Sequence, residues 1–204
     1  MKLWPIALAL FAGGVAAGST QLPQPVQLAL TQIDSVPSQL ELDTAFSDHQ
    51  AAMQGLAAIA TDNGATDSAS RNARLHAISA LSKYCASPCD DGSGSGSANS
   101  AHQALISIIQ DMNGESVGFN AVVLRAAIEA LGPQRVGNDL DLLVSQLANP
   151  SRDIRAAVAH SLRDLCNTQA IVPLRQQQQA EASDQVKQAI TEALRVLGQG
   201  SPCQ

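Results

Sequence analysis

The chain has 204 residues, 45% of them apolar and only 2% aromatic, with 12 basic and 18 acidic side chains for a formal charge of −6. That length suits one compact domain or a short repeat array, and the apolar share is enough for a core. Alanine recurs throughout and has the best intrinsic helix propensity, so helix packed on helix is favoured over a β-sandwich, which needs β-branched and aromatic runs. Nucleic-acid binders carry a basic stripe with interleaved aromatics; the sequence has neither, which excludes nucleic acid as a partner.

Residues 1–17 read as a signal peptide. Met1-Lys2 gives a short positive start, Leu3 to Ala12 an apolar stretch, and Gly13 to Ala17 small residues suited to cleavage, with Val15 and Ala17 at the two positions a peptidase reads. The apolar stretch is shorter than the ~20 residues of a membrane span, and no cysteine follows it to accept lipid. The expectation is an exported protein, periplasmic or secreted, with no membrane span after signal removal. Processing would also remove Lys2 and Trp4, leaving Phe46, Tyr84 and Phe119 as the aromatic residues. Carbohydrate platforms and methyl-ammonium cages need aromatic faces, so both become poor candidates.

Residues 18–43 hold Pro23, Pro25 and Pro37 among glutamines and serines, and predict an extended lead-in with at most a short helical turn around Val26 to Ile33. A repeat domain is expected over 44–198 and a short tail over 199–204. Its first helix runs from about Thr44 to Thr61, with Phe46, Met53, Leu56, Ala57 and Ile59 inward, and Asn63-Gly64 stops it. A second helix follows from about Ala69 to Tyr84. Residues 87–99 then form a Gly/Ser-rich loop. No Gly-Lys-Ser follows it and no strand with Gly-x-Gly-x-x-Gly precedes it, so it is not a phosphate cradle. Helix resumes from about Ser100 to Met112, with Leu105, Ile106, Ile108 and Ile109 apolar, and Asn113-Gly114 ends it.

Four segments superimpose as an internal repeat: Ala73 to Leu81, Val123 to Leu131, Ile154 to Leu162, and Val186 to Leu194. Each opens on an apolar or small residue and closes on a small residue followed by leucine. The closing leucines lie 50, 31 and 32 residues apart, and the long first interval contains the Gly/Ser loop as an insertion. The opening residue, the small residues three or four places on and the final leucine share one helical face, and the small residues let a neighbouring helix lie close. A preceding helix is visible at Leu140, Leu142, Leu143 and Leu147, and again at Ile171, Val172 and Leu174. Ser151 or Asp153 is placed to cap the third second-helix, and Ser183-Asp184 the fourth. Gly132 and Gly198 stand where a left-handed residue often closes a helix.

On Asp153-Ile154-Arg155-Ala156-Ala157-Val158 and Ala170-Ile171-Val172-Pro173-Leu174 the sequence resembles the HEAT repeat family, in the short bacterial form of phycobilin lyases. The resemblance is clear over 119–198 and extends more weakly back to about 44. It implies an all-α solenoid of about four antiparallel helix pairs, with first helices on the convex face and second helices on the concave face. It also implies that Arg155, Lys187 at the same position and Arg125 one place later pair with aspartates of neighbouring turns as a ladder. The alternative is a basic stripe that binds an acidic partner. The first copy departs from the pattern at Ala73, and the second at Arg125.

Four cysteines in an exported chain suggest disulfides. Cys85 and Cys89 are spaced for a local bridge. A redox pair would instead be Cys-x-x-Cys at a helix start, and a metal role is the other alternative. Second helices of a solenoid are parallel neighbours, so Cys166 is expected to pair with Cys203 across the last two. His49, His76, His102 and His160 are dispersed and make no metal spacing, and no cofactor is expected. Asp90-Asp91 and Asp139-x-Asp141 read as loop or helix-start acids, and Gln176 to Gln179 as an exposed helix face. No nucleophile-elbow, zincin or Ser-x-x-Lys motif is present. The reading is therefore a non-enzymatic scaffold that takes a protein or peptide partner on its concave face, through second-helix residues Arg125, Glu129, Arg155, His160, Arg163, Glu192 and Arg195. A chromophore lyase or chaperone and a purely structural envelope component are the alternatives.

Overall fold

The structure is a computed structural model, and it describes residues 22–31, 37–84 and 98–199. The expected signal peptide, residues 87–97 of the Gly/Ser loop, the tail beyond Gln199, and Cys85, Cys89 and Cys203 lie outside these residues. Every described element is helical: α1 (Gln24–Thr31), α2 (Gln39–Phe46), α3 (His49–Thr61), α4 (Ser68–Leu81), α5 (Ala98–Asp111), α6 (Gly118–Leu131), α7 (Leu140–Ser145), α8 (Arg152–Leu165), α9 (Ile171–Ala180) and α10 (Asp184–Gln199), with short 3-10 turns between them.

Four antiparallel pairs, α3/α4, α5/α6, α7/α8 and α9/α10, stack side by side as an α-helical solenoid. Their second helices touch in the order α4, α6, α8, α10, and α3 touches α5 in the first row. The repeat phase read from sequence is the packing phase. The opening positions Ala73, Val123, Ile154 and Val186 are buried, as are Ala80, Ala130, Ser161 and Ala193 before the closing leucines. Burying one such leucine or isoleucine contributes about 1.5–3 kcal/mol, and each unit gains it only against its neighbour. The pair α3/α4 shows that the repeats begin ahead of the clear sequence signal.

The lead-in is more helical than expected: the short turn read around Val26 to Ile33 is α1, and α2 stands where extended chain was expected. Pro25 falls in the first turn of α1, where proline costs no hydrogen bond and its fixed φ suits a helix. Ser38 and Glu41 form a capping box at α2: the Ser38 amide donates to Glu41 Oε2 at 2.7 Å and the Glu41 amide donates to Ser38 Oγ. Val26, Leu30 and Leu42 are fully buried. α1 packs on α4 and α2 on α3, so this pair closes the N-terminal end of the stack.

The single helix expected over 44–61 is broken. Ser47 takes a φ of 92° and the Asp48 carboxylate accepts from the Ala51 amide at 2.7 Å, starting α3 anew. Phe46 folds back over Gly55, where a Cβ would overlap its ring. Tyr84 then fastens the closing pair. It is buried, donates its hydroxyl to Asp43 Oδ1 at 2.7 Å and stacks on His49 with ring centroids 5.0 Å apart. Burial and the adjacent Asp43 carboxylate push the phenol pKa well above its usual range.

The glycine expectation also needs correction. Gly132 is right-handed, with φ −53°, and Gly198 lies within α10. The left-handed closures are Arg135 (φ 56°) and Cys166 (φ 59°). Gly132 serves close approach instead. A Cβ there would stand 2.5 Å from both the carbonyl oxygen and the Oγ of Ser161, while that Oγ donates to Ile128 O at 2.8 Å. Gly132→Ala should therefore destabilise the protein by about 1–3 kcal/mol through overpacking, lowering the melting midpoint seen by circular dichroism by roughly 2–4 °C per kcal/mol. Gly137→Ala, with nothing within 4 Å of its Cβ, should leave the midpoint within about 2 °C.

Candidate interaction surface

Two sets of polar side chains follow from the stacking: a ladder along the turn edge, and a charged field over the outward side of the second helices. The ladder begins at Arg74, which is 3% exposed. Its guanidinium donates to Ala60 O at 2.9 Å and to Asn63 Oδ1 at 2.7 Å, satisfying the end of α3. The next turns are joined by amides: Gln146 donates to Asn113 Oδ1 at 2.8 Å, and Asn149 Nδ2 donates to Glu115 O at 3.1 Å.

Arg155 completes the run. It donates to Asn149 O and Pro150 O in its own turn, and grips Glu181 in the next turn through two 2.8 Å bonds. Such a fork-on-carboxylate pair is strong and geometrically specific. Glu181 also accepts from the Ala182 and Ser183 amides and from Gln177, which ties off the start of α10. The expected ladder is present at Arg155, but its acid is a glutamate that caps a helix, not an aspartate. Ser151 and Asp153 make no side-chain cap on α8; the Asn149 carboxamide accepts from the Ser151 amide instead.

Of the seven residues read from sequence as partner-binding, the structure brings Arg125, Glu129, His160, Arg163, Glu192 and Arg195 onto the second-helix side and sets Arg155 apart in the ladder. Arg125 donates to Glu129 at 2.8 Å, Arg163 to Asp164 at 2.8 Å, and Arg195 to Glu192 at 2.7 and 2.8 Å. These pairs also act between helices. Asp153 on α8 supports the charge of Arg125 on α6, and Glu192 on α10 supports that of Arg163 on α8. Hydrogen bonding to Arg195, aided by Arg163 and His160, holds Glu192 below the usual carboxylate range. The outward side of α6, α8 and α10 is thus a lattice of alternating charge with its own pairs already made. Arg71 on α4 continues it, lying over the Phe119 ring at 5.0 Å.

At the C-terminal ends of α6, α8 and α10 the lattice borders an open hollow of about 600 Å³, lined by Pro133, Arg163, Asp164, Cys166, Glu192 and Val196. Cys166 is disulfide-bonded, to a cysteine outside the described residues, so the expected pairings are not visible.

Sequence reasoning missed Glu181, Arg74 and the amide rungs. The signal was present for Arg74, which occupies the same repeat position as Arg155. It also read Asp139 as a helix-start acid. Asp139 is buried, 3% exposed, and paired through Oδ1 with His102 Nε2 at 3.2 Å. Among the described residues no helix is long and apolar enough to cross a membrane.

Stacked antiparallel helix pairs with their second helices in one row define an α-helical repeat protein. Residues 103–195, from within α5 to within α10, match the family model described as HEAT repeats, which supports a HEAT-like repeat family. HEAT repeats commonly mediate protein–protein interaction. No curated protein matches the chain.

The Arg155 fork, with the Ser183 amide and Gln177, holds the Glu181 pKa down to about 2 from an ordinary 4.5, against the opposing effect of burial. A depressed carboxylate contributes its stability above the unfolded value and loses it as pH falls through the folded one, here roughly 3 kcal/mol. Chemical-denaturation midpoints should therefore fall between about pH 5 and pH 2. Glu181→Gln should be less stable at pH 7 and much flatter across that window. Arg155→Ala, which strands the buried carboxylate, should cost about 3–5 kcal/mol at pH 7.

Proposed function

We propose that this protein is a non-enzymatic scaffold that docks a protein or peptide along the outward side of α6, α8 and α10. The alternating-charge lattice on that side carries the reading. Its pairs are short, partly exposed and preorganised, with the Arg163 and Glu192 side chains 30% and 42% exposed at the rim of the hollow. Paired surface charges contribute little to folding, but such fields set partner choice, orientation and association rate. Stacked repeats offer extended surfaces of this kind. The sequence supplies no nucleophile, metal spacing or cofactor motif to favour catalysis.

We place its work outside the cytoplasm. The pattern at residues 1–17 supports this, and a disulfide at Cys166 suits an oxidising compartment.

Arg163→Glu combined with Arg195→Glu reverses one cation that lines the hollow and the cation that pairs with its Glu192, without touching the ladder. The expected result is at least a tenfold loss of the main partner recovered by crosslinking and affinity capture, with the circular dichroism spectrum unchanged. An unchanged partner set in a folded double variant would remove the basis for this surface.

A further inference from the structure

His102 lies in α5, 8% exposed, with both ring nitrogens facing oxygen. Nδ1 is 2.7 Å from Gln134 Oε1, and Nε2 is 3.2 Å from Asp139 Oδ1. Gln134 is fully buried, and its amide is oriented by Nε2 donating to Leu81 O at 3.4 Å. Turning the amide over would set two carbonyl oxygens against each other, so Oε1 faces the ring. Neutral imidazole has one N–H and one lone pair, whereas imidazolium donates from both nitrogens. The neutral ring would leave a lone pair aimed at an oxygen in a buried site, which is costly. Among the described residues Asp139 Oδ2 finds no donor, so the ring is what compensates this buried carboxylate.

The place matters as much as the chemistry. Gln134 and Asp139 belong to the 3-10 turns Gly132–Gln134 and Gly137–Asp139, which carry the chain from α6 to α7. His102 therefore ties α5 to the connector between the second and third pairs, and through Gln134 to the end of α4. Most other titratable groups around it are engaged elsewhere, while His76, midway along α4, keeps a buried Nδ1 without a partner among the described residues. α3 offers His49, held by Asp43 and Tyr84. α4 offers Arg71 over Phe119, Arg74 in the turn ladder and His76, with Lys83 beyond it donating to Pro37 O. α6 offers Arg125 and Glu129, paired with each other, and the connector adds Arg135 before Asp139. Asp141 follows in the first turn of α7.

We infer that His102 is held as the imidazolium between Gln134 and Asp139, making the joint between the second and third repeats a clamp that depends on one proton. Such a group contributes its full stabilisation below the ordinary imidazole value of about 6.5 and loses it as pH rises and the folded-state proton leaves. The joint loosens with alkalinity, altering how α6 and α8 are spaced on the docking side.

The test is ¹⁵N NMR of the imidazoles in the intact, oxidised protein, titrated from pH 6 to 9. His102 should show two protonated ring nitrogens at pH 7.5, above the ordinary imidazole value of about 6.5. Amide exchange across residues 137–143, corrected for intrinsic rate, should then rise about tenfold for each pH unit by which His102 outlasts His160. Asp139→Asn should bring the His102 titration down to or below that of His160. A neutral His102 ring at pH 7 in the wild-type protein overturns the inference, and needs no variant to fold. An Asp139→Asn protein that folds and leaves the titration unmoved overturns the role given to the carboxylate.

Discussion

No helix pair in this chain can cover its own apolar stripe, and the neighbour that covers it must come close. The second helices achieve this with alanine: Ala77 and Ala127 in α4 and α6, and Ala157 and Ala189 one repeat place earlier in α8 and α10, are all buried. Between α6 and α8 the approach is close, at Gly132 against Ser161, whose hydroxyl reaches Ile128 O on the neighbouring helix. Once backbones are this near, the turns at one end of the row fall into register. Only then can one guanidinium, Arg155, span two turns with five donors. The ladder is thus a consequence of small side chains several residues away, and it locks the spacing they permit.

The same dependence explains what could be read from sequence. Position along a helical face is a local property, so the phase of all four second helices was legible, including the first, where Ala73 stands in for a larger residue. The closing pair was misread because proline suggested extended chain, although Pro25 sits where a helix tolerates it and Ser38 with Glu41 spelled a capping box. The break at Ser47 depends on Phe46 finding Gly55, which no local pattern announces. Likewise nothing near Glu181 says that Arg155, 26 residues away, will claim it, nor does anything near His102 point to Gln134 and Asp139. Helical phase is written locally, whereas buried polar partnerships are settled by tertiary approach.

Charge is divided between these two outcomes. Of the basic stripe that the repeat positions suggested, Arg155 is consumed by the ladder and Arg125, though exposed, is paired with Glu129. What faces outward on α6, α8 and α10 is instead a set of neutralised pairs. Such a surface attracts no partner by net charge, in a chain whose formal charge is −6. It discriminates by arrangement, because a partner must offer charges in matching order or leave some of them unpaired on burial. This favours specificity over raw attraction.

The two ends of the row are finished differently, for the reason that makes the repeats stack. A terminal unit with a free apolar side would keep adding neighbours, so arrays need end units with polar outer faces. At the C-terminal end α9 buries Leu174 and turns Arg175, Gln176 and Gln179 outward. Of the glutamines read from sequence as an exposed face, Gln176 and Gln179 are exposed, while Gln177 and Gln178 are half-buried and bond to Glu181 and Thr191. At the other end α1 and α2 cover α4 and α3, held by Tyr84 on Asp43 and by Lys83 on Pro37 O. Both fastenings lie just after α4, at the entrance to the Gly/Ser insertion. The closing pair and the insertion thus meet at one seam, and the residues that seal the first repeat also fix the point from which the loop departs.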